Sequence, residues 1–138
     1  MNMTNECGQN LNDRDMKKQM MEEAKMQMER EFVEIMRDND THTLRWTGTQ
    51  SDLMEIVHTA YLDNVFFNDN GNPETFISLV RRVCDTLHVS VPANPRAVAY
   101  QARCRKGFRQ LPFLERYASM LYRSHVSQPL NKLITKAN

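Results

Sequence analysis

The chain has 138 residues, a formal net charge of +1, 41% hydrophobic and 25% charged residues. That length and composition suit one globular domain with an appendage and exclude a disordered polyelectrolyte. No apolar run approaches the roughly 18 residues a membrane span requires, so no membrane partner is expected.

Residues 1–12 read as a loose polar tail. Met1 to Gly8 lack the basic and apolar blocks of a secretion signal, so a cytoplasmic location is expected. From Asp13 to Asp38 the chain is rich in strong helix formers. A helix of about 25 residues there would be about 37 Å long at 1.5 Å per residue. Met21, Ala24, Met28, Phe32 and Ile35 fall at helical spacing along it, with Met16 and Met20 one turn earlier. Because methionine is adaptable, Met21, Met28, Phe32 and Ile35 are candidate partner-binding residues, for instance in a homodimer. The same stripe equally fits an ordinary core-facing helix.

His42 to Trp46 alternates like a short edge strand. Thr49 with Asp52 three residues on resembles a capping box. Leu53, Ile56, Val57, Ala60 and Tyr61 then recur at the spacing of an amphipathic helix over 50–63. Val65-Phe66-Phe67 could make a brief strand, and Asn68 to Asn72 is turn chemistry. That turn lacks the terminal Glu of a calcium-binding loop. Asn72 and Pro73 are placed to cap and open a helix to Leu87, with Phe76, Leu79, Val80, Val83, Cys84 and Leu87 inward. Asn94 and Pro95 repeat the device for a helix to Lys106, which Gly107 stops. A last helix runs from Leu111 or Pro112 to Ser124. Leu130, Leu133 and Ile134 are the residues of the C-terminal tail that would fold back.

The small net charge hides a gradient. Residues 1–40 hold six bases against ten acids, 41–91 three against six, and 92–138 nine against one. Arg96, Arg103, Arg105, Lys106, Arg109, Arg116 and Arg123 crowd a stretch whose single acid is Glu115. Dense cationic charge on a helix that also carries an apolar face suits a phosphate backbone. Arg96, Arg103, Arg105, Lys106 and Arg109 are therefore the candidate DNA-binding residues, most for phosphates and one or two for base edges.

The fold expected is mainly α: a small helical bundle of helix-turn-helix or winged-helix type with at most a minor β element, preceded by a long N-terminal helix. Its parts would be a tail and helix over 1–40, the DNA-binding domain over 41–126 and a tail over 127–138. Three short helices with the third basic match a plan in which one helix enters the major groove. The turn is loose, with nine residues between the first two helices.

Cys7, Cys84 and Cys104 form no paired motif, and the four histidines are scattered, so no disulfide framework, metal or other cofactor is expected. No nucleophile–base pattern and no Gly-rich phosphate loop is present, which points away from an enzyme.

Residues 44–123 resemble the C-terminal region of the RteC family, regulators found on Bacteroides conjugative elements. The likeness rests on Leu44-Arg45-Trp46-Thr47-Gly48, on Asp52-Leu53 with Glu55 and Ile56, on Asn70-Gly71, and on Arg103, Arg105, Lys106, Arg109 followed by Phe113-Leu114. It implies a winged-helix-type region that binds double-stranded DNA and controls transcription for a mobile element. Two departures stand out. About 40 residues precede the match where the family has a larger helical domain, and Gln110-Leu111-Pro112 replaces the family's Thr-Lys, removing a cation. The alternative is a non-enzymatic protein-interaction module that dimerises through the N-terminal helix.

Overall fold

A computed structural model of the chain describes residues 2–37, 44–104 and 111–136, with side chains from Asp13 onward. It is mainly helical. In chain order it holds α1 (Asn2–Arg37), β1 (Leu44–Trp46), α2 (Gln50–Leu62), α3 (Phe76–Leu87), α4 (Pro95–Arg103), α5 (Phe113–Tyr122), a 3-10 turn (Pro129–Leu133) and β2 (Ile134–Lys136).

α2 is the hub. Leu53, Met54, Ile56, Val57 and Ala60 are all buried, and the helix packs on α3, α4 and α5. Its start follows the sequence signal: the Thr49 hydroxyl accepts the backbone N–H of Asp52 at 3.1 Å. Just upstream, the Trp46 indole N–H donates to the Thr49 carbonyl at 2.9 Å. Gly48 is required there, because a Cβ would lie 2.8 Å from the Trp46 ring. Thus Trp46-Thr47-Gly48 is a structural device that launches α2.

α3 begins later than expected. Its cap is Thr75, whose hydroxyl accepts from Ser78 N–H at 3.3 Å, and not Asn72. Asn72 and Pro73 are engaged elsewhere. The Asn68 side chain accepts from the N–H groups of Asn70 and Asn72, Gly71 takes φ 83°, and Pro73 bridges antiparallel to Phe67. A residue held in an extended bridge cannot also open a helix. The brief strand expected at 65–67 is reduced to that single bridge. α3 ends on His88 in the left-handed region, φ 59°, and the His88 Nδ1–H donates to the Leu44 carbonyl at 2.6 Å.

α1 starts at Asn2, so the tail expected over 1–12 is a continuation of the helix. At 36 residues it is about 54 Å long. Ala24, Met28, Phe32, Ile35 and Met36 are buried in the chain's own core, with Phe32 edge-on to Phe66 at 5.5 Å. α1 packs mainly on α5 and the C-terminal turn.

Residues 129–136 fold back on the core through Leu130, Leu133 and Ile134, the three residues expected to do so. Leu130 is fully buried, and β2 pairs antiparallel with β1 in the register Leu44↔Lys136 and Trp46↔Ile134. Glu31 of α1 explains the docking. Its buried carboxylate accepts from the Tyr117 hydroxyl at 3.0 Å, from the backbone N–H of Leu130 and Asn131, and from the Asn131 side chain. Four donors satisfy a charge that would otherwise be costly to bury.

Candidate nucleic-acid interface

α4 is capped by Asn94, whose side chain accepts from Ala97 N–H at 3.2 Å, and has Pro95 at its first turn. The cap and proline match the sequence reading. Ala99 and Ala102 are buried, and these small residues let α4 lie close against α2. The opposite side exposes Arg96, Tyr100 and Arg103, at i, i+4 and i+7. Tyr100 is 69% exposed.

The two arginines lean over neighbouring rings. The Arg96 guanidinium lies 5.0 Å from the Phe76 ring centre and 5.6 Å from that of Tyr61. Arg103 Nη1 sits 3.2 Å from His58 Nδ1. A guanidinium only donates, so His58 accepts there and is the neutral Nε2–H tautomer. Burial, then Arg103, then Arg96 hold the His58 imidazole below its ordinary pKa. Both arginines therefore border His58, about 10 Å apart along α4. Beyond Arg103, the Asp63 carboxyl at the end of α2 is held below its usual range by its hydrogen bond with Glu29 first, then by Lys25, with Arg103 adding a smaller share. The Tyr61 and Phe76 rings, Asn94, Pro95 and Arg96 line an open cleft of about 570 Å³.

Arg105, Lys106 and Arg109, the other candidate DNA-binding residues, lie outside the described residues. The chain that follows them is anchored to α2. Glu55, buried on α2, accepts the backbone N–H of Phe113 at 2.9 Å and of Leu114 at 3.1 Å, capping α5 with a carboxylate. That placement also complements the helix dipole. Arg116 is bonded to Asp52, donates to the Leu111 carbonyl at 3.0 Å and covers the Phe113 ring. Arg116 is thus taken up by internal structure and does not belong with the outward cations, despite lying in the same basic run.

The expected partner stripe is corrected. Met28, Phe32 and Ile35 are 1%, 1% and 9% exposed, and Met21 is half-buried against the same core. Packing in cis occupies the surface a second copy would need.

Sequence reading missed Asp52 and Glu55 as anchors, and His58, Tyr61 and Phe76 as the bed under the arginines. A signal existed for one of them: Glu55 falls inside the apolar stripe of α2, where an acid must find donors.

No group of His, Cys, Asp or Glu among the described residues could hold a metal ion. No described helix is long and apolar enough to cross a membrane. No family model, curated protein or solved structure matches the chain.

Proposed function

We propose that this chain is a non-enzymatic, cytoplasmic DNA-binding transcriptional regulator of the kind the RteC resemblance implies, serving a mobile conjugative element. Double-stranded DNA would meet the exposed side of α4, with Arg96 and Arg103 on phosphates and Arg105, Lys106 and Arg109 extending the contact. The helices α2, α3 and α4 would play the parts of a helix-turn-helix domain, and β1 with β2 would take the place of a small wing. One observation carries this reading. Arg96 and Arg103 stand exposed on one side of α4, two turns apart, in the most basic third of the chain.

The test is binding of the full chain to random-sequence and native duplex fragments at two salt concentrations. Retention that weakens steeply as salt rises supports the reading, because each phosphate contact releases counterions. No retention at about 50 mM salt, where non-specific binding is far tighter than at about 200 mM, would remove it.

A further inference from the structure

Glu29 lies on α1 with only 6% of its surface exposed, two residues before the satisfied Glu31 and on a different side of the helix. Its Oε2 has no hydrogen-bond partner among the described residues. Lys25, one turn earlier on α1, brings in the carboxyl of Asp63, the C-cap residue of α2, which shares a hydrogen bond with Glu29. Two ionised carboxylates cannot share a hydrogen bond, because each only accepts. One of the pair must carry a proton, and burial assigns it to Glu29. Asp63 is exposed and has a cation to favour its charge, with Lys25 Nζ 3.3 Å from its Oδ2.

We propose that Glu29 and Asp63 form a proton-operated latch that fastens α1 to the end of α2, closed while Glu29 is protonated and opened when it ionises. The protonated Glu29 donates to the Asp63 carboxylate. Loss of that proton leaves two negative groups in contact and one of them buried, which drives α1 away from the α2 terminus. The charged groups around the pair come from every neighbouring element. Glu22 and Lys25 share α1, joined at 3.6 Å, Arg103 approaches Asp63 from α4, and Glu115 of α5 lines the same groove as Lys25, Asp63 and Arg103. For Glu29, Asp63 and Glu22 oppose ionisation and Lys25 favours it. Burial is the largest influence on Glu29, and the carboxyl is raised to about 8. The latch therefore loosens progressively as pH rises toward about 8.

The sign follows from linkage. A carboxyl raised in the folded chain gives a contribution complete below its unfolded value and lost as pH rises through the folded one. The test uses the full chain between pH 6 and 9.5. The carboxyl-carbon NMR shift of Glu29 is followed together with amide exchange, corrected for intrinsic rate, over residues 22–33 of α1. A half-point near 8 is expected, with protection falling by up to about ten-fold per pH unit as pH rises toward it and levelling off above. In Glu29→Gln the amide still donates to Asp63 but does not titrate, so protection should stay level across the range. A Glu29 half-point below 6 overturns the latch. Equal pH dependence in wild type and Glu29→Gln does so too. Should Glu29→Gln fail to fold, the NMR half-point of the wild-type carboxyl decides alone.

Discussion

Glu55 Oε1 accepts the backbone N–H of Phe113 at 2.9 Å, across 58 positions of sequence. The carboxylate belongs to α2 and the amide to the first turn of α5. The pair fixes where the chain re-enters the core after its most basic segment. It also accounts for an acid on the buried side of α2, where Leu53, Ile56 and Val57 are its neighbours.

Replacing Glu55 with Ala should therefore cost about 2–3 kcal/mol, since two helix N–H groups lose a charged acceptor in a buried place. Glu55→Gln keeps a carbonyl oxygen for one of them and should cost less. Urea unfolding of both variants checks the order. Equal stability of wild type and Glu55→Ala would mean that water replaces the carboxylate without loss.

Gly48→Ala places a methyl 2.8 Å from the Trp46 ring, whose indole N–H is bonded to Thr49. The ring has to move, and the start of α2 with it. We expect a loss of about 1–3 kcal/mol, typical of overpacking, together with a changed fluorescence of this single tryptophan. An unaltered emission maximum with full stability would show that the loop relaxes freely.

Arg103→Ala and Arg116→Ala separate outward charge from internal charge. The first should lower the salt slope of DNA binding by about one counterion and leave stability within about 0.5 kcal/mol. The second breaks a charged hydrogen bond to the buried Asp52 and should destabilise by about 1.5–3 kcal/mol. Its effect on the salt slope should be small. The opposite pattern in titrations at several salt concentrations would reassign both arginines.

His58 supplies a pH test. Its pKa is depressed in the folded chain, so its contribution to stability is present above the ordinary value near 6.5 and lost as pH falls through the lower folded value. An NMR titration should give a half-point below 6.5. Arg103→Ala should raise that half-point without restoring it fully, because burial is the larger cause. No movement in the variant would place the guanidinium farther from the ring than 3.2 Å.

Much of this architecture is written locally. Thr49 with Asp52 and Asn94 with Pro95 announce the starts of α2 and α4, because a cap needs only residues within one turn. The buried stripes of α2 and α3 were legible for the same reason. Asn72 and Pro73 misled because Pro73 has a second use, the bridge to Phe67, which depends on how the Asn68 turn closes. Local preference offered two answers there, and the turn chose.

The C-terminal residues show the limit most clearly. Leu130, Leu133 and Ile134 were recognisable as apolar, but their place depended on Glu31, 99 positions earlier, meeting the N–H of Leu130. Nothing in a one-turn window indicates such a donor. The same holds for the methionine stripe of α1, whose spacing was plain and whose partner, its own core, was not.

The amino-acid order alone determined the helical elements, most of their caps and the concentration of cations after residue 92. These rest on contacts within a few residues and on composition. Tertiary structure decided which charges remain outward. Arg116 goes to Asp52 and Arg103 stays exposed beside His58, although both belong to one basic run. Pairing energy depends on distance in space and on burial, and both arise only when α2, α4 and α5 have packed together.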